Sequence, residues 1–95
     1  MQEINDNLAS ASHLALRALV WALSDEKRSE RLLSLTGLTP DGLRSGIGER
    51  GLQAAILGFL ESHEPDLIAC AVAIDASPTE LVAARRALDG MEFEF

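Results

Sequence analysis

Tyrosine is missing from this chain of 95 residues, and cysteine, tryptophan and lysine each occur once, as Cys70, Trp21 and Lys27. A lone cysteine excludes an internal disulfide and fits a reducing compartment. Only two histidines are present, His13 and His63. Ile, Val and Thr together number 11, against 16 Leu and 14 Ala. That scarcity of β-branched and aromatic residues weighs against sheet and for helix at nearly every position. No apolar run reaches the ~18 residues that span a bilayer. The polar, acidic start from Met1 to Asp6 predicts no secretory leader, and a cytoplasmic location is expected.

What is present is a chain 47% apolar, enough to exclude disorder over most of its length. Its size allows one domain, because a second core needs roughly 50 more residues. The expected division is a single helical domain over residues 1–90 and a short tail over 91–95. Fifteen acids against eight bases leave a net charge of −7, which repels nucleic acid and anionic lipid. The charge is uneven. Residues 17–50 are close to neutral, whereas residues 61–80 carry Glu61, Glu64, Asp66, Asp75 and Glu80 with no Lys or Arg.

Capping residues divide the chain into five or six short helices, an all-α bundle. The first begins near Asn7 or Ser10 and runs to Leu23; it is apolar from Leu14 onward except for Arg17. The second follows Ser24-Asp25-Glu26 and stops at Gly37, a left-handed cap. Thr39-Pro40 opens a short third helix. The fourth covers about Gly51 to Ser62, with Gln53 its one interior polar residue, and the fifth runs from Glu64 to about Asp75. Ser77, Pro78 and Glu80 form a capping box ahead of the sixth, which ends at Gly90. Asp25, Glu26 and Glu30 are spaced to pair with Arg28 and Arg31 on a wet helix face.

A shift of about 38 residues aligns Leu14 with Leu52, Trp21 with Phe59, Glu26 with Glu64, and Thr39-Pro40 with Ser77-Pro78. The spacing predicts two pseudo-repeats of a three-helix unit, about 14–45 and 52–83, with the first and fourth helices as a central pair. The expected core is Leu16, Leu19, Trp21, Leu23, Leu32, Leu35, Leu43, Ile56, Leu57, Phe59, Leu60, Ile68, Val72, Leu81 and Leu88. Trp21 is expected to fill the centre opposite Phe59.

The residues offer little chemistry. A zinc site wants three or four ligands at short spacing. His63 beside Glu61, Glu64 and Asp66 reads more simply as a solvated helix junction. Cys70 lies between Ala69 and Ala71 and reads as a small core residue. Gly46, Gly48 and Gly51 match a dinucleotide-loop spacing but lack the preceding strand, so they read as a bend. No catalytic residue, metal ligand or cofactor is expected.

Two binding readings remain. The helix-turn-helix reading takes Thr36 to Pro40 as a turn and presents Arg44 and Ser45, or Arg85 and Arg86, to DNA. The chain's acidity opposes it. The favoured reading is a non-catalytic protein–protein interaction module, monomeric or homodimeric. Its contact groups are the apolar tail residues Met91, Phe93 and Phe95, and the acids Glu61, Glu64 and Asp66 facing a basic protein.

Several stretches carry a resemblance. They are Leu19 to Leu23 followed by acids, Leu35 to Arg44, Ala54 to Leu60 followed by acids, Ala76 to Leu81, and Ala84 to Leu88. Their order resembles the bacterial domain of unknown function 3572, a family of small all-helical proteins. The resemblance covers most of the chain. It implies a compact helical domain and no catalytic residue or ligand.

Overall fold

The computed structural model describes the backbone of residues 2–89 and the side chains of residues 8–89. Six helices follow in order, with no strand among the described residues: α1 (Gln2–Leu23), α2 (Glu26–Thr36), α3 (Pro40–Gly46), α4 (Arg50–Glu61), α5 (Glu64–Ala73) and α6 (Pro78–Asp89). The all-α bundle expected from composition is the observed fold. α1 begins earlier than the caps indicated, and α5 stops two residues sooner.

Local chemistry sets most of the boundaries. Asp25 caps α2, its Oδ2 accepting the Arg28 backbone N–H at 3.0 Å. Gly37 closes the same helix in the left-handed region at φ 74°, with its N–H donating to the Leu33 carbonyl at 2.9 Å. Thr39 Oγ1 accepts from Gly42 N at 3.0 Å ahead of Pro40. At α6 the capping box is reciprocal. Glu80 N donates to Ser77 Oγ at 3.1 Å, and Ser77 N donates to Glu80 Oε1 at 2.8 Å.

α1, α4 and α6 form the centre. α6 packs along both α1 and α4, and α1 also meets α4. The expected central pair is therefore a central triple. The two halves are packed unequally: α6 touches two helices along its length, whereas the seven-residue α3 makes only sparse contacts with the rest.

The buried seam of α1 is Ala11, Ala15, Ala18, Leu19 and Ala22. Ala11, Ala15, Ala18 and Ala22 recur at heptad-like spacing, and their short side chains let neighbouring helices approach closely. The larger residues are pushed to the flanks. Leu16 and Trp21 are half-buried and Leu23 is exposed, so these three expected core residues lie elsewhere. Trp21 packs against the core from its edge, not its middle. Leu35 is also exposed, as are Ile68 and Val72, while Leu67, Cys70, Ala71 and Ile74 form the buried side of α5. Leu19, Leu32, Leu43, Ile56, Leu57, Phe59, Leu60, Leu81 and Leu88 are buried as expected. The one buried polar side chain among the described residues, Gln53, is satisfied: its Nε2 donates to the Ile47 carbonyl at 2.9 Å.

Two arginines close helix ends that carry no basic residue in their own last turns. Arg28 of α2 reaches back to α1, its Nη2 donating to the Trp21 carbonyl at 2.9 Å and to Ser24 Oγ at 3.1 Å. Arg17 of α1 donates to the carbonyl of Ile74, which caps α5. Cations at helix C-termini satisfy free carbonyls and complement the dipole. The expected pairing of Arg28 and Arg31 with acids of their own helix does not occur. Arg28 stacks on Trp21, and Arg31 forms its ion pair with Asp66 of α5.

Candidate functional site

α5 is apolar from Leu67 to Ile74, around its whole circumference. A surface helix ordinarily has a polar face, and one apolar all round is ordinarily covered all round. α5 is covered on one side only. Leu67, Cys70, Ala71 and Ile74 face inward, while Ile68, Ala69, Val72 and Ala73 are exposed. Val72 is 76% exposed and Ile68 47%. Neighbours at i, i+3 and i+4 share a face, so these four make one continuous strip.

The strip continues onto α1. Val20, 70% exposed, lines a shallow recess of about 340 Å³ with Arg17, Trp21, Ala73 and Ile74. The patch is therefore apolar at its centre, with a protruding valine on α5 and a recess beside it. The charges at its margin are divided. Arg17, Arg28 and Arg31 lie on the α1 and α2 side. Glu64 stands exposed in the first turn of α5. The sequence alone does not mark this surface, because apolar Ile68 and Val72 read as core residues. The signal that marks it is the absence of any polar position between Leu67 and Ile74.

The residues singled out from sequence are dispersed. Glu61 is bound to Arg85, which also holds Asp89 at 2.9 Å. Asp66 is bound to Arg31. Of the three expected acidic contact residues, only Glu64 is exposed; Glu61 and Asp66 are half-buried. Met91, Phe93 and Phe95 lie outside the described residues. Arg85 is taken up by its two carboxylates, and its hydrogen bond to Glu61 raises its pKa further above the ordinary arginine value. Arg44 and Ser45 are exposed on α3, with Arg44 paired to Asp41 at 3.1 Å. Arg86 is exposed on α6. The four residues of the DNA reading thus sit on two helices, with one of the three arginines sequestered.

Besides a recess lined by Leu19, Leu33, Leu43 and Ile47 between α1, α2 and α3, two grooves lie away from α5. Leu35, Thr36, Leu38, Leu52, Ala55, Phe59 and Ser62 line one of about 440 Å³ between α2 and α4. Ser10, Ala11 and Leu14 face Glu80, Ala83, Ala84 and Ala87 across the other, between α1 and α6. Neither brings together a nucleophile and a base. Cys70 is fully buried, and that burial pushes its thiol up to about 11. No group of three or more potential metal-ligating side chains is found among the described residues. Among those residues no single helix is long and apolar enough to cross a membrane; α5 and α6 reach the length only together, bent by 102°.

No curated protein matches the chain, and no solved structure does. One family model does, "Protein of unknown function (DUF3572)", over residues 8–91. That span contains all the helices from Leu8 onward and every stretch that carried the resemblance, so the chain belongs to the DUF3572 family.

Proposed function

We propose that this chain is a non-catalytic protein–protein interaction module whose contact surface is the outer face of α5 with Val20 of α1. One observation carries the reading: α5 has no polar position after Asp66, yet Ile68, Ala69, Val72 and Ala73 stand in solvent. Contiguous exposed apolar patches on small proteins mark contact sites, and water alone is a poor partner for this one. The arrangement of the remaining groups supports it. The buried thiol lacks the lowered pKa of a nucleophile, and the two histidines stand apart on α1 and at the α5 cap.

The test compares wild type with Val72→Glu. Val72 is exposed, so the substitution leaves the fold intact. Each protein is immobilised and exposed to nuclease-treated native lysate. The expected result is a protein captured by wild type and lost with Val72→Glu. Identical captured sets for the two proteins overturn the reading.

A further inference from the structure

We propose that the groove between α1 and α6 is the docking site of this chain's own segment 91–95, laid back along α6 with Met91, Phe93 and Phe95 turned into the groove. This is a different surface from the α5 face, and the proposal stands apart from the reading above.

The argument begins where the chain leaves α6. Asp89 is the last residue of that helix, and Ala87, two residues earlier, lines the groove. The segment therefore starts at the rim. No residue of α6 lines the groove between α2 and α4, the recess beside α3 or the recess beside α5. Entering the α1–α6 groove means reversing direction, and the residue at the reversal is Gly90. Glycine suits the left-handed conformation that ends a helix and turns the chain back. Gly37 ends α2 in that way, at φ 74°. Length agrees. Ala87 and Glu80 both line the groove. The rise of α6 between them is about 10 Å. Met91 to Phe95, extended, spans about 13 Å.

The pattern of the segment selects its conformation. Met91, Phe93 and Phe95 alternate with Glu92 and Glu94. In an extended chain alternate side chains share a face, so all three apolar groups meet the groove and both acids meet water. In a continued α-helix, at about 100° per residue, Phe93 falls opposite Met91 and Phe95, and no one surface receives all three. The groove suits large groups. Ala11, Ala83, Ala84 and Ala87 line it with single methyls and leave a hollow of about 340 Å³. Large side chains set against small ones fill the space between packed elements. Ala83 is exposed and Leu14 half-buried, so the hollow offers apolar ground to the two rings. Arg86, exposed at the same end of α6, offers a cation to Glu92 in a chain of net charge −7.

The experiment is a double-mutant cycle on the full chain, read as melting temperature by circular dichroism. Phe93→Ala combined with Phe95→Ala is expected to lower it by about 5 °C or more. Ala83→Glu, at an exposed position of the groove, is expected to lower it by a similar amount in wild type. Once both phenylalanines are alanine, the same substitution is expected to cost less than half as much. Leu35→Glu, at the exposed rim of the α2–α4 groove, is expected to act equally in both backgrounds. A melting temperature indifferent to the two alanines overturns the proposal. So does strict additivity of Ala83→Glu with them. Coupling that appears at Leu35→Glu instead puts the segment in the other groove and overturns this one. Wild type is also melted at concentrations from about 5 to 500 µM. A constant midpoint is expected of a segment docked on its own chain. A midpoint that rises with concentration assigns the segment to a second copy and overturns the proposal.

Discussion

Arg28 places its guanidinium carbon 3.7 Å from the centre of the Trp21 ring while its Nη2 donates to the carbonyl of that same residue. One side chain thus stacks on Trp21 and closes the helix that carries it. Stacking of this kind contributes about 0.5–2 kcal/mol, and each hydrogen bond about 1 kcal/mol net. Against this, Arg28 Nε is buried without a hydrogen-bond partner, which offsets part of the gain. Arg28→Ala is expected to cost about 1–2 kcal/mol in urea unfolding followed by Trp21 emission. Arg28→Lys recovers the charge without the planar fork and falls between the two. A double-mutant cycle with Trp21→Phe, read by circular dichroism, should give coupling of about 0.5 kcal/mol or more. Coupling near zero would mean that the stacking contributes nothing.

A second prediction concerns the end of α5. Asp75 has φ 59°, the only positive value at a non-glycine among the described residues. Its N–H donates to Val72 O at 3.3 Å and that of Ala76 to Ala71 O at 2.8 Å, the pair of bonds that closes a helix in a Schellman motif. Glycine is the residue suited to that position. Asp75 also brings negative charge to the negative end of the helix, where Arg17 partly compensates it. Asp75→Gly is expected to stabilise the fold by about 0.5–1 kcal/mol, or several degrees in melting temperature. Asp75→Val, β-branched in a left-handed position, is expected to lower it. A melting temperature lowered by Asp75→Gly would count against the strain.

These closures separate what the sequence reveals from what it hides. Asp25, Gly37, Thr39-Pro40 and the Ser77–Glu80 box act within four residues of themselves, so the helix boundaries they set could be read directly. Arg17 acts on a carbonyl 57 residues away, and Arg31 on a carboxylate 35 away; neither link has a local signature. The direction of each apolar face was hidden for the same reason. In α1 and α5 apolar residues occur on nearly every side, so periodicity loses its bearing. Which side is buried depends on how α6 settles across α1 and α4, a contact between distant parts of the chain. Alanines took the inner seam of α1, and Ile68 and Val72 were left outside. The candidate surface was thus visible as composition but not as a place.

Leu32 and Leu35 offer the sharpest check on burial, being the same residue one turn apart on α2. Leu32 is 0% exposed and Leu35 65%. Leu32→Ala is expected to cost about 2–5 kcal/mol through lost burial and the cavity left behind. Leu35→Ala is expected to cost at most about 0.5 kcal/mol. Chemical denaturation of both variants decides it. Similar losses would place Leu35 against something that covers it.

Cys70 makes the stability of the fold depend on alkaline pH. Burial is the main cause of its raised pKa, from 9.0 to about 11; Arg28 and Arg17 pull the other way, and Asp66 adds slightly to the rise. Because the native state keeps its proton longer than the unfolded chain, the unfolded chain binds fewer protons between these values. The contribution of Cys70 is therefore fully present below pH 9.0 and is lost as pH rises toward about 11. The slope approaches at most about 1.4 kcal/mol per pH unit. The comparison takes Cys70→Ala as its reference, because that variant keeps every other group of the chain. Between pH 8 and 11, wild type is expected to lose more stability than Cys70→Ala, and native Cys70 is expected to resist alkylation at pH 8 until denaturant is added. Parallel stability curves for the two proteins, or rapid alkylation of the folded chain, would show that the thiol reaches water without unfolding.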